Sequence, residues 1–288
     1  MRSHPGEAAI LGCPLDHRSP SLTIATPHGS DLPDVQSAPD SRAISIDRVG
    51  VSDARPPATI VDVDGSSQSV SATFKMTVAL PSDVKGTHMS RFLEVLGTHH
   101  QQLGPGRMDA FMKDLRKTLG ADQAQVELSF PWFVRKAAPI SGGIGLLEYG
   151  VRIEVEIGAG NRIEEVLEVT APATSLCPCS KEISEYGAHN QRCELSARVT
   201  CSEPVGIAPL GERIESAASC EVYPVLKRPD EKFVTEAAFD NPKFVEDIIR
   251  DLALGMDADE RIRAYRITSE NFESIHGHNA WAEISRTK

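Results

Sequence analysis

The sequence predicts an α+β fold of two tandem modules, each an antiparallel sheet with a helix pair on one face. Three observations predict it. Long runs of strict apolar and polar alternation mark strands with one wet face. Pairs of segments with helical spacing lie among those strands. The order strand, helix pair, strands occurs twice in 288 residues, without any residue-level repeat.

Residues 1–41 contain six prolines and six serines and no periodicity. Such a segment cannot offset the entropy of ordering and reads as a disordered tail, with Cys13 idle inside it. The first module is assigned to residues 42–174. An extended segment from Ile44 to Val63 leads to a strand in which Ala72, Phe74, Met76, Val78 and Leu80 alternate with polar or smaller residues. The period then changes. Met89, Phe92, Leu93 and Leu96 take helical spacing, and beyond the breaker Gly104-Pro105-Gly106 so do Phe111, Met112, Leu115 and Leu119. Alternation returns with Val126, Leu128, Phe130, Trp132 and Val134, and again from Leu147 to Ile157 after Gly142-Gly143. A further strand runs from Ile163 to Thr170.

The second module is assigned to residues 175–288. Cys193, Leu195, Ala197, Val199 and Cys201 alternate with polar residues, so both cysteines read as small core residues. Two helical stretches follow, one with Phe233, Val234, Ala237 and Ala238, the other with Phe244, Val245, Ile248, Ile249 and Leu252. Asn241 reads as the cap of the second and Pro242 as its first helical residue. Extended segments from Arg261 to Phe272 and from Asn279 to Ser285 close the chain.

A formal charge of −11 argues against wholesale nucleic-acid binding. No apolar run reaches the length of a membrane helix, and the run from Ala8 to Cys13 is too short for a signal-peptide core. Six cysteines are too sparse for a disulfide scaffold. The expected setting is the reducing cytoplasm. Sheets with open edges associate, so an oligomer is expected.

The chemistry concentrates in Ser175-Leu176-Cys177-Pro178-Cys179-Ser180-Lys181-Glu182-Ile183-Ser184 and the Tyr186-Gly187-Ala188-His189-Asn190-Gln191-Arg192 that follows. Two thiols flank a proline, and an imidazole comes twelve residues after the first thiol. Structural zinc knuckles place two or more residues between their cysteines. Cys-Pro-Cys therefore reads as one ligand plus a nearby thiol, which leaves a metal an open position. The alternative is a structural or redox dithiol, whose disulfide would be strained and easily reduced.

Other candidates are more ambiguous. Glu231 stands at a helix start, where it either caps the helix or supplies an oxygen ligand to the same metal. Lys227 and Arg228 beside it are phosphate contacts or solvated surface. Glu246 falls at the edge of its helix's apolar stripe, placed to be half buried, and reads either as an exposed helix Glu or as an acceptor for a paired N–H donor such as the guanidine edge of a purine or pterin. His276 and His278, at a turn entering the last strand, suit proton transfer or metal binding. His88 opens a helix whose free N–H groups, with Lys85 and Arg91, suit an anion. His99 and His100 read as exposed helix residues.

Together with Lys85-Gly86-Thr87-His88-Met89-Ser90-Arg91-Phe92, Asn241-Pro242-Lys243-Phe244-Val245-Glu246-Asp247 and Ser274-Ile275-His276-Gly277-His278-Asn279-Ala280, these motifs are similar to those of the prokaryotic type IB GTP cyclohydrolases of the tunnelling-fold superfamily. The resemblance runs from about residue 34 to the end of the chain. It implies conversion of GTP and water to 7,8-dihydroneopterin triphosphate and formate, the entry step to folate, by metal-activated water attack on guanine C8. It also implies tunnelling-fold modules and a homotetramer with active sites between subunits. The implied metal ligands are Cys177, His189 and Glu231, around zinc, manganese or iron. Cys179 is then the second thiol near the reacting carbon, Glu246 the guanine anchor, and His276 or His278 the proton donor. Lys85, Arg91, Lys181, Lys227 and Arg228 are candidates for the triphosphate. Two rivals are a tunnelling-fold nitrile reductase, whose nicotinamide cofactor and lack of metal fit this motif set poorly, and a non-catalytic metal-binding scaffold of the same fold.

Overall fold

The computed structural model describes residues 34, 36, 38–158 and 160–288. The tail expected over 1–41, Cys13 included, lies mostly outside them. The chain joins the body at Gln36, where Gly86 N–H donates to Gln36 O at 3.0 Å and Lys85 N–H to Ala38 O at 3.1 Å.

Among the described residues the first half supplies β1 (Ile46–Ala54), β2 (Pro57–Val61), β3 (Ser67–Ser71), β4 (Thr73–Leu80), α1 (Met89–His99), α2 (Asp109–Leu119), β5 (Ala124–Ala137) and β6 (Ile144–Ile157). The second half supplies β7 (Ile163–Leu176), α3 (Pro178–Ile183), β8 (Asn190–Cys201), α4 (Ile207–Ser216), β9 (Cys220–Glu221), α5 (Arg228–Asp240), α6 (Val245–Asp257), β10 (Ile262–Asn271) and β11 (Ala280–Thr287). One antiparallel sheet joins both halves in the order β1-β4-β5-β6-β7-β8-β10-β11, with β9 on β7 and a separate β2–β3 hairpin.

Register explains why one face of that sheet is a core. Leu128, Ile153, Leu167, Val199 and Tyr265 pair in succession across five strands, and all are buried. The opposite face carries a row of Arg152, Glu168, Arg198 and Arg266 on successive strands. Arg198 holds Glu154 through both carboxylate oxygens there. A period of two in the sequence thus becomes a covered face and a charged face.

The helices differ from expectation in three places. In α1, Phe92, Val95 and Leu96 are buried while Met89 and Leu93 are exposed, so the stripe is rotated slightly from the one expected. More significantly, α4 was not anticipated, because Pro209 and Gly211 interrupt its pattern. Pro209 sits in the first turn, where its missing N–H costs nothing. Gly211 lies under the Tyr149 ring, which any Cβ would strike. Tyr149 O–H and Lys136 both bind Glu215 of α4, at 2.7 and 2.5 Å, which fastens that helix to β5 and β6. The helices packed on the second half of the sheet include α4 and α6, while α5 leans on β7 and β9.

The start of α6 is also displaced. It begins at Val245 with Phe244 as N-cap, and Phe244 N–H donates to Asp247 at 3.0 Å. Asn241 instead follows the end of α5, its amide donating to Ala218 O and Ser219 O at 3.2 and 3.0 Å. Tertiary partners for the Asn241 side chain outweigh the local cap.

Cys193 is buried and Cys201 partly so. Burial pushes their thiols up to about 12 and about 11, so both are protonated at neutral pH and inert.

Candidate functional site

The ladder of β7 and β8 ends at Ser175↔Gln191 and Leu176↔Asn190. One further step along each strand brings Cys177 opposite His189, and Cys177 N–H donates to His189 O at 3.2 Å. Side chains alternate, so Cys177 and His189 project to the face that buries Ala173, Ser175, Gln191 and Cys193. The thiol and the imidazole are neighbours by register. Between them α3 opens on Pro178 at its first turn. Ser180 clamps the excursion shut: its hydroxyl donates to Cys177 O at 3.1 Å and accepts from His189 N–H at 3.2 Å.

Two more segments complete a cleft of about 290 Å³. The chain leaving β10 brings Glu273, His276 and His278 to it, the two imidazoles stacked at 5.2 Å between centroids. From the other side come Lys243, Phe244, Val245 and Glu246 at the entry to α6. Lys243 N–H donates to Leu176 O at 3.1 Å, which ties that entry to the residue before Cys177. Glu246 is exposed in the first helical turn, where the correction to half-burial follows from the later helix start. Val245 and Glu246, both lining the cleft, are the first two residues of that helix, whose leading N–H groups have no intrahelical acceptor.

His189 has a defined hydrogen-bond environment. Its Nδ1 lies 3.0 Å from Gln191 Oε1 and 3.3 Å from Ser274 Oγ. Among the described residues its Nε2 has no hydrogen-bond partner. For a divalent cation the cleft offers the Cys177 sulfur and His189 Nε2, a donor pair that zinc, manganese or iron accepts. Among the described residues no group of three or more His, Cys, Asp or Glu side chains is placed to hold a metal.

The sequence candidates therefore divide. Cys177, His189, Glu246, His276 and His278 share the cleft. Glu231 does not line it; it is exposed on the first turn of α5, after Lys227 and Arg228. The buried carboxylate of the preceding Asp230 fixes that turn to the β5–β6 loop. It accepts from Ile140 N–H, Ser141 N–H and Lys227 N–H at 2.8 Å and from Ser141 O–H at 2.6 Å. Burial alone would push the Asp230 carboxyl up, but these bonds together hold it well below the usual carboxylate range. Cys179 is exposed on α3, and Lys181 reaches away to Phe239, its ammonium 4.3 Å from the ring centroid. Lys85, His88 and Arg91 gather at the start of α1 in the first half.

Gln191, Glu273, Lys243 and Phe244 lie in the cleft or directly behind it and escaped the sequence reading as site residues. The signal for Gln191 was present, since extending an antiparallel pairing from Cys177↔His189 puts Gln191 opposite Ser175. For Glu273 and Lys243 the signal was proximity, each lying three residues before a candidate, His276 and Glu246 respectively.

A sequence model described as type I GTP cyclohydrolase folE2 matches residues 32–282. The GTP cyclohydrolase FolE2 of Azoarcus sp. (strain BH72) is 46% identical over 263 residues, 91% of this chain and 98% of that one. That of Syntrophobacter fumaroxidans is 49% identical over 255 residues, 88% of this chain and 99% of its own. Among solved structures, uricase from Arthrobacter globiformis aligns over 84% of this chain and 93% of that one, at 9% identity and a TM-score of 0.47. With a family model spanning most of the sequence and relatives near half identity along almost their whole length, the chain belongs to the type I GTP cyclohydrolase FolE2 family.

Proposed function

We propose that the chain converts GTP and water to 7,8-dihydroneopterin triphosphate and formate, the entry step of folate biosynthesis, in the cleft at the ends of β7, β8 and β10. One observation carries this placement: ladder register sets Cys177 against His189 in a cleft that also holds Glu246, His276 and His278.

In this reading Cys177 and His189 hold a divalent cation, zinc, manganese or iron, with Glu231 as the oxygen donor. When bound, the cation supplies the positive charge that acidifies a neighbouring water for attack at guanine C8. Glu246 accepts the paired N–H groups of the guanine edge, and its position on a helix start leaves backbone donors beside it for the base carbonyl. His276 and His278 move protons during ring opening and the second hydrolysis, as groups that titrate near neutrality can. Cys179, exposed on α3 two residues after Cys177, is read as the second thiol near the reacting carbon. Net hydrolysis needs no hydride donor, so no nicotinamide is required.

Glu231, Lys85, His88, Arg91, Lys227 and Arg228 lie outside the cleft of their own chain. Their use on the metal or the triphosphate requires a neighbouring copy or movement of α5, which favours a homotetramer with sites between subunits. Lys181 is a further candidate for the triphosphate. Two tandem tunnelling-fold modules are favoured by a shared order, with the division falling before β7 (Ile163–Leu176) instead of between residues 174 and 175 as read from the sequence. β1 and β4, then α1 and α2, then β5 and β6 is matched by β7 and β8, then helices, then β10 and β11. The proposed setting is the cytoplasm, with no nucleic-acid or membrane partner; among the described residues no helix is long and apolar enough to cross a membrane.

The test is formate release and pterin fluorescence from GTP, with chelated protein and then with manganese or zinc restored under reducing conditions. Turnover is expected only with metal, and is abolished in Cys177→Ala. In Glu246→Ala kcat/KM falls by at least about a hundredfold, the loss of two hydrogen bonds to a charged acceptor. Folded, metal-loaded protein that releases no formate would overturn the proposal.

A further inference from the structure

Behind His189 the register lines up three polar side chains. Ser175 and Gln191 are a cross-strand pair, and Glu273 follows two residues after Asn271, which pairs with Cys193. Gln191 is only 8% exposed, yet its amide nitrogen lies 2.7 Å from Ser175 Oγ and 3.4 Å from Glu273 Oε1, and its amide oxygen 3.0 Å from His189 Nδ1.

The orientation of that amide is set by chemistry. A primary amide donates from one end and accepts at the other, while an ionised carboxylate only accepts. The end of Gln191 toward Glu273 is therefore the NH2, and the end toward His189 is the carbonyl oxygen. An oxygen acceptor facing His189 Nδ1 requires that nitrogen to carry the proton. Ser274 Oγ, at 3.3 Å, is a second acceptor for the same N–H. In a neutral imidazole Nε2 then holds the lone pair. Free imidazole side chains in water prefer the opposite arrangement, with the proton on Nε2, so the protein must supply the bias.

We propose that Gln191, locked by Glu273 and Ser175, is a positioning residue that holds His189 as the Nδ1–H tautomer and so presents an unprotonated Nε2 to the cleft before any cation arrives. The inference rests on the reading of His189 as a metal ligand. Outer partners of this kind fix ring orientation and ligand basicity, and losing one costs about 10–100-fold in metal affinity.

The experiment is nitrogen-15 NMR of histidine-labelled, metal-free full-length protein in reducing buffer, about two pH units above the ordinary imidazole value. The His189 resonance is assigned by its loss in His189→Asn. Wild-type His189 is expected to carry its proton on Nδ1, and Gln191→Leu to shift the population toward Nε2–H. Competition for zinc against a chelator should show Gln191→Leu binding about 10–100-fold more weakly. A wild-type proton on Nε2 overturns the proposal, and this holds even if the variant fails to fold. A folded Gln191→Leu with the wild-type tautomer and zinc affinity also overturns it. If His189→Asn binds zinc as tightly as wild type, the metal-ligand reading falls and takes the inference with it. If His189→Asn loses affinity and Gln191→Leu does not, only the positioning role falls.

Discussion

The two halves join their first pair of strands in opposite ways. Between β1 and β4 the chain makes the β2–β3 hairpin, which buries Ala58, Ile60 and Val70 and pairs with the α1–α2 connection, Val61 N–H donating to Leu103 O at 2.7 Å. Its one buried charge, Asp62, accepts from Val63 N–H at 2.8 Å and from Ile207 N–H at 3.0 Å, so it caps α4, whose own N-cap Gly206 has no side chain to do so. Between β7 and β8 the chain makes α3, with no buried residue, and leaves Ile183 and Tyr186 at 83% and 98% exposure. Similar strand pairs thus carry one connection packed into the core and another left exposed beside the proposed site. A packed connection cannot admit substrate, and an open one contributes little to folding.

That contrast breaks first at the open end. Replacing His276 and His278 together by Asn, at the β10–β11 turn that shares the cleft with Cys177, should lower kcat by about a hundredfold to ten-thousandfold with metal content and melting temperature unchanged. A small kcat effect with a large loss of stability would mean that the turn is structural after all. At the closed end, Asp62→Ala should do the reverse. It leaves the first N–H groups of α4 without a partner and should cost about 2 kcal/mol, read as a lower urea midpoint, while kcat of the folded enzyme is kept.

The smallest effect sharpens the case of α5, which is latched by Asp230 yet starts with the exposed Glu231. The Asp230 carboxyl is depressed in the folded state, so its contribution is present above the unfolded carboxylate value and is lost as pH falls through that value toward the folded one. Asp230→Asn should therefore lower the urea midpoint at neutral pH and flatten its decline below about pH 4. A decline as steep as in wild type would assign the acid sensitivity to other groups, such as Asp259, whose carboxyl is also held low, first by the Arg261 guanidinium.

Much of this fold was legible from period alone. β4, β5, β6 and β8 announce themselves by alternation, because each has one face on the core and one in water. The β2–β3 hairpin and α4 did not, since short strands and a helix containing Pro209 and Gly211 lack a sustained pattern. Of the residues that share the cleft, Cys177 and His189 were legible from their spacing, Glu246 from its place at the edge of a helix's apolar stripe, and His276 and His278 from their residue type at a turn entering a strand. Glu273 and Lys243 were not singled out, although each lies three residues before a residue that was, and Gln191 needed the Cys177 and His189 pairing to be extended by one same-face step.

By itself the sequence determined the alternating strands, the thiol and imidazole on either side of a short polar excursion, and the family to which those motifs point. These are local properties, set by side-chain period and by residues close in the chain. Only the tertiary structure decided that β10 lies beside β8, that α6 enters at Leu176, and that Asp230 holds the start of α5 so that Glu231 faces solvent. Those are choices among distant partners, made by burial and by hydrogen bonds whose other half lies as far as 145 residues away, as Ile207 does from Asp62, and no pattern in a single segment encodes them.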